Sequence, residues 1–214
     1  MNRLFLFFLS LFFSGMFWSC DGIFHNLYDD PKPATENTYG FIKIDETDKS
    51  GIIYVDASTY DRWVYIDFKN RKIDTTNILM DEKEPEQWSF ALHRYDVKTC
   101  NGSACETIFS SLEDLRAAGD IDFSHFMYDV EDSVAVDVSG MMDGIILYAH
   151  SPRNSVLSKW MHVDTSVMPP IYTLSNKVYI LQMPDGSRAA LLFLNYMNAA
   201  SVKGFVTIHY LYPY

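Results

Sequence analysis

The chain has 214 residues, 48% of them hydrophobic and 21% charged, which is enough apolar material for a real core and excludes a disordered polymer. Lys and Arg number 17 against 28 Asp and Glu, a formal charge of −11. No nucleic-acid partner is expected, because nothing would replace phosphate counterions over a broad surface. Aromatic residues at 15% favour strands over helical bundles, and the same composition excludes collagen, coiled coils and disulfide-dense miniproteins.

Residues 1–20 have the layout of a bacterial export signal. Arg3 supplies a positive start, and residues 4–13 form an almost unbroken apolar run. That run is shorter than the roughly 20 residues needed to cross a bilayer, but it suits a signal-peptide core. Ser19-Cys20 then closes it in the manner of a lipobox, so Cys20 is expected to be acylated and to begin the mature chain. Simple secretion is the alternative. Residues 21–37 mix Asp29-Asp30-Pro31, Pro33 and polar residues without periodicity, as a tether would. The expected organisation is a signal peptide at 1–19, a lipidated tether at 20–38 and one β domain at 39–214.

Within that domain, residues 40–47 and 51–57 predict a hairpin across Asp48-Lys49-Ser50. Residues 63–68 are β-branched and aromatic, and residues 88–97 alternate with period two as one half-buried strand. Cys100 and Cys105 flank an Asn101-Gly102 turn signal, so a disulfide across a hairpin tip is expected in an oxidising compartment; zinc is the rival, without a second ligand pair. Residues 111–118 predict the one substantial helix, with Ser110 or Ser111 as cap, Glu113-Asp114 in its first turn and Gly119 as stop. Strands resume at 133–138 and 144–149. The clearest hairpin joins 177–182 to 188–196 through Met183-Pro184-Asp185-Gly186, and 204–211 ends the chain. Many strands, frequent turns and one short helix predict an all-β fold, an antiparallel β-sandwich or distorted barrel.

No hydrolase, phosphate-binding or dinucleotide motif occurs, and none of the six histidines has a close zinc spacing. An enzyme is not expected. The methionines carry more information. Met141-Met142 lies between Gly140 and Gly144, and Met168 precedes Pro169-Pro170, so all three fall in turns rather than mid-strand. Methionine usually fills core gaps, yet a thioether is also a soft ligand for haem iron or copper.

From Tyr60 onward the sequence resembles the HmuY family, haem-binding lipoproteins of Gram-negative anaerobes. The resemblance is carried by Asp61-Arg62-Trp63-Val64-Tyr65-Ile66-Asp67-Phe68 and Trp88-Ser89-Phe90-Ala91-Leu92-His93-Arg94-Tyr95-Asp96. It continues through Leu157-Ser158-Lys159-Trp160, Met168-Pro169-Pro170, Ser175-Asn176-Lys177-Val178-Tyr179 and Lys203-Gly204-Phe205. Ser89 departs from the acidic residue common there.

The resemblance implies long loops that clamp haem, iron protoporphyrin IX. It also implies a haemophore: an outer-membrane lipoprotein, on the cell surface or the periplasmic face, or released. Such a protein takes haem from host haemoproteins, passes it to a TonB-dependent outer-membrane receptor, and meets the membrane through its anchor alone. Some members of the family hold iron with histidines and others with methionine. The methionine version transfers here, as Met141 with Met168, Met142 being the alternative to Met141. His125, set among aromatics, is the chief competing ligand, followed by His150 and His162. Arg153 or Lys159 is expected near the propionates, unless these face water. The rival function is a glycan-binding or adhesin-type β-sandwich lipoprotein, with Trp63, Trp88 and Trp160 as stacking candidates.

Overall fold

The computed structural model describes residues 38–119 and 121–214. The expected signal, Cys20 and nearly all of the expected tether lie outside the described residues. By internal contacts, residues 163–172 belong to one unit and the remaining described residues to another, the main unit.

The main unit is an antiparallel β-sandwich. Its larger sheet contains β1 (Gly40–Asp45), β2 (Ser50–Asp56), β7 (Ser103–Glu106), β8 (Met127–Tyr128), β13 (Val178–Gln182), β14 (Arg188–Met197) and β15 (Lys203–Leu211). Their spatial order is β1-β2-β15-β14-β13-β7-β8. The smaller sheet contains β3 (Arg62–Asp67), β4 (Lys72–Asn77), β5 (Phe90–His93) and β6 (Asp96–Thr99), in the order β4-β3-β5-β6. No closed barrel forms among the described residues.

The apolar run of β14 is explained by cover on both faces. Ala190 and Leu192 share one face with Val178, Ile180 and Cys105, and that face lies under helix α1 (Leu112–Ala117). Leu191 and Phe193 pair with Tyr210 and Ile208 on the other face. There Phe193 stacks on Trp160 at 4.4 Å, and Phe68, which follows β3, meets Tyr210 at 5.3 Å and Phe90 at 5.6 Å. Rings buried this way contribute about 1.5–3 kcal/mol each.

Helix α1 has six residues, too few to persist alone. Ser111 Oγ accepts a hydrogen bond from the Asp114 amide at 3.0 Å, and Gly119 adopts φ +77 just beyond the end. Leu112 and Leu115 are buried against the sheet and supply the packing that the short helix needs.

Two expectations fail for tertiary reasons. Residues 88–97 do not form one strand, because the chain folds back at Arg94, φ +55, and His93 pairs with Asp96 across the turn. Arg94 is not a usual left-handed residue. Its guanidinium is held by the carbonyls of Ser58 at 2.6 Å and Lys203 at 3.1 Å, and it lies 4.7 Å from the Tyr60 ring centroid.

The expected disulfide is not formed either; Cys100 and Cys105 are both free thiols. Residues 100–102 cross from the smaller sheet to the larger one instead of closing a hairpin. Cys105 points into the cluster under α1, whereas Cys100 borders a cavity with Glu84, Trp88 and Lys98. Burial pushes the Cys105 thiol up to about 11.

Gly204 begins the return of β15 at φ +103, where an added Cβ would run into Ser58 Cα and Arg94 Nη1. Gly204→Ala should therefore destabilise the protein by about 2–4 kcal/mol in urea denaturation. Gly186→Ala, at φ +84 with open space around it, should lose only about 1 kcal/mol.

Candidate functional site

β9 (Val130–Asp137) and β10 (Leu147–Arg153) form a separate two-stranded hairpin in the main unit, with a 3-10 turn at Met141–Asp143. A lone hairpin is marginal in water, so its footing matters. Val134 and Val136 are buried, with Ala149 opposite Val134, and this inner face packs on Trp63, Tyr65 and Ala91 of the smaller sheet.

Beneath the hairpin sits a buried cation. Lys98 is 4% exposed, and its Nζ lies 4.4, 5.0 and 5.5 Å from the ring centroids of Trp63, Tyr65 and Trp88. It donates to Tyr65 Oη at 3.1 Å and to Glu84 Oε1 at 2.5 Å. Burial draws the Lys98 pKa down, and Glu84 opposes that shift.

The root of the hairpin is pinned by charge and by backbone. Arg153 pairs with Asp132 on β9, Nε to Oδ2 at 2.7 Å, and reaches Asp96 on β6 at 3.7 Å. The Asn154 amide donates to the Val97 carbonyl at 2.7 Å. Asn154 Nδ2 donates to Asp129 at 2.9 Å, and Asp129 also receives the Thr99 amide and hydroxyl. Burial raises the Asp129 carboxyl despite those donors. Arg153, expected near haem propionates, is thus committed to two carboxylates.

The apex is shaped by two glycines. Gly144 takes φ +77, and a Cβ on Gly140 would stand 2.9 Å from Ile145 Cβ. The Asp143 and Ile145 amides both donate to the Gly140 carbonyl at 2.9 Å, and the Gly144 amide donates to the Met141 carbonyl at 3.0 Å. This tight cap turns Met141 and Met142 outward, 53% and 92% exposed. Exposed Ile145, Leu147 and Tyr148 continue an apolar surface down the hairpin.

β11 (Met161–Asp164) and β12 (Ile171–Leu174) make a second two-stranded hairpin, whose outer part is the unit of residues 163–172. In that unit Asp164 Oδ1 accepts from the Ser166 amide at 2.9 Å and from its hydroxyl at 2.6 Å, which curls the turn. Met168 is 84% exposed beside exposed Val167, and its bond to Pro169 is cis.

Burial separates the remaining methionines. Met161, Met183 and Met197 are buried and serve as core, while Met80 and Met127 are exposed. Sequence spacing passed over Met80, although its place in an apolar pair, Leu79-Met80, before Asp81 was a visible sign of a turn.

His125 is exposed at φ +67, and its neighbours Phe123 and Phe126 pack into the cluster under α1. His150 and His162 are exposed as well. His93 is a core residue whose Nε2 lies 2.7 Å from the Tyr60 carbonyl. Trp63 and Trp160 are buried, and Trp88 is half-buried with its ring edge-on to Tyr65. No group of three metal-binding His, Cys, Asp or Glu side chains exists among the described residues.

The arrangement offers exposed thioethers and apolar side chains on hairpins. The sequence matches the family described as HmuY protein over residues 59–210. A crystallised protein of Bacteroides vulgatus ATCC 8482, described as HmuY-like and heme binding, is 49% identical with a TM-score of 0.79, over 83% of this chain and 99% of that one. A protein of Bacteroides fragilis NCTC 9343, described as a lipoprotein, is 45% identical with a TM-score of 0.79, over 86% of this chain and 99% of its own. The apo HmuY analog of Tannerella forsythia, at 22% identity and a TM-score of 0.65 over 75% and 94%, shares the fold. No curated protein matches. With the family match covering most of the folded chain, this protein belongs to the HmuY family of haem-binding proteins.

Proposed function

We propose that the protein is a haemophore: a lipoprotein anchored through Cys20 that takes haem from host haemoproteins and hands it to a TonB-dependent outer-membrane receptor. Met141 and Met168 are the proposed axial donors to the iron. The observation that carries this reading is the glycine-built apex, which holds Met141 and Met142 out of the core on an apolar hairpin.

The donor set suits the group. Haem is a flat, largely apolar plate with a soft-ligand preference at reduced iron, and apolar side chains flanking a thioether match both properties. Met141, Ile145, Leu147 and Tyr148 would bind the macrocycle and exclude water from it. Met168, from the other hairpin, would supply the second sulfur, and Met142 stands as the neighbouring donor to Met141. Arg153 is occupied by Asp132 and Asp96, which leaves exposed Lys159 as the cation for a propionate, or propionates that face water. When bound, haem supplies only a coordination site to be filled and emptied, so the protein acts as a carrier and not as an enzyme. The glycan-binding alternative loses two of its three stacking candidates, because Trp63 and Trp160 are buried, and Trp88 is half-buried against Tyr65.

Haemin titrated into the purified protein should give a saturating Soret band at one haem per chain, tighter under dithionite than in air, since methionine ligation raises haem potentials. Met141→Leu and Met168→Leu should each weaken binding by at least the 10- to 100-fold that losing an outer partner of a metal ligand costs. His125→Ala should leave the spectrum intact; the opposite pattern would reverse the assignment.

A thioether has no proton to lose, whereas an imidazole ligand is displaced as pH falls through about 6.5. Affinity measured between about pH 5 and 8 should therefore be nearly flat. A steep loss on the acid side would point to histidine ligation.

A further inference from the structure

The protein is acidic overall, yet one cavity of the main unit is cationic. It lies where the β1–β2 turn, the turn after β3 and the C-terminal segment meet, and its volume is about 320 Å³. No residue of either hairpin lines it. Lys49, Lys69 and Arg71 border it, against Asp45 and Glu46.

The two carboxylates are already engaged. Asp45 Oδ1 accepts from the amides of Thr47 at 2.9 Å and Asp48 at 3.1 Å. Glu46 takes both terminal nitrogens of Arg71, at 2.6 and 2.8 Å. Among the described residues, no carboxylate lies within ion-pair distance of Lys49 or Lys69. The cavity therefore presents two ammonium groups outside any ion pair, in a lining of three cations and two carboxylates, with the Asp185 carboxylate also within electrostatic reach of Lys69.

The backbone places two of the cations. Lys49 and Arg71 sit at φ +52 and +51, where glycine or asparagine is the usual choice. Each of the two turns thus places a cation in a left-handed position at the same cavity.

Part of the lining is aromatic. Phe68 stacks on Tyr212 at 5.0 Å with 20° between planes, and Tyr210 completes the group 5.3 Å from Phe68. The Tyr212 amide donates to the Lys49 carbonyl at 2.8 Å, which fixes this wall against the cationic turn.

We propose that this cavity binds one anionic pyranose, its ring C–H face against Tyr212 and its acid group between Lys49 and Lys69. A volume near the lower end for small-molecule pockets admits one ring and not an oligosaccharide. Positive charge selects against neutral sugars, and the aromatic wall selects against a bare inorganic anion.

The test is calorimetric titration of the purified, haem-free protein with glucuronate and with glucose 6-phosphate, beside glucose and inorganic phosphate. At least one of the two anionic sugars should bind at least about tenfold more tightly than either control. Which of the two binds better tells a carboxylate site from a phosphate site. The double variant Lys49→Ala/Lys69→Ala should lose that preference, while its melting temperature and its haem titration stay unchanged.

Equal binding of glucose, phosphate binding as tight as the sugars (an adventitious ion only), an unaffected double variant, or no binding by any probe would each overturn the proposal. The sugar titrations are run without haem, so the haemophore reading stands or falls separately.

Discussion

The proposed donors depend first on the burial of one hairpin face against Trp63 and Tyr65. Two strands of this length do not hold together in water by themselves. Val134 and Val136, buried on that face, contribute about 1.5–3 kcal/mol each, which makes the hairpin part of the sandwich. Lys98 lies in the same bed. An isolated buried ammonium would cost several kcal/mol, but Glu84 neutralises it and three aromatic rings surround it. The ring faces attract the cation most where water is excluded. Lys98 therefore ties β3, β6 and the segment before β5 together under the hairpin.

From that footing, the apex obeys a different constraint. Gly140 is needed for its close approach to Ile145, and Gly144 for its left-handed backbone. The cap uses its own amides and carbonyls for hydrogen bonding, so the thioethers of Met141 and Met142 are the polarizable groups left facing outward. The same residue type fills the core as Met161, Met183 and Met197. Backbone position, not residue identity, divides the methionines between packing and presentation.

Much of the sandwich was legible in the sequence because its signals are local. The β13–β14 hairpin announces itself by two apolar runs around Pro184-Asp185-Gly186, and α1 by Ser111 and Gly119. The fold-back at Arg94 was not legible, since its left-handed backbone is held by the carbonyls of Ser58 and Lys203, remote in sequence. The Cys100–Cys105 pairing misled for a related reason: a turn signal describes four residues and does not say which sheet the chain enters next. The proposed methionine donors come from family resemblance. Spacing alone treats Met141 and Met161 alike, and only the fold exposes one and buries the other.

Charge pairing bears on how haem would be held. An acidic protein that takes up a dianionic plate needs a means other than attraction between net charges. Its cations are largely engaged: Arg153 with Asp132 and Asp96, Lys98 with Glu84, Arg71 with Glu46. Lys49 and Lys69 line a cavity that no hairpin residue enters, while Lys83 and Lys159 are exposed and in no ion pair among the described residues. On the proposed reading, haem is then retained chiefly by apolar burial and thioether ligation, with Lys159 the one expected propionate partner left outside an ion pair. Neither retaining force depends on salt or on a titrating group near neutrality. On that reading, release to an acceptor would proceed by exchange of sulfur ligands, without the breaking of a buried ion pair.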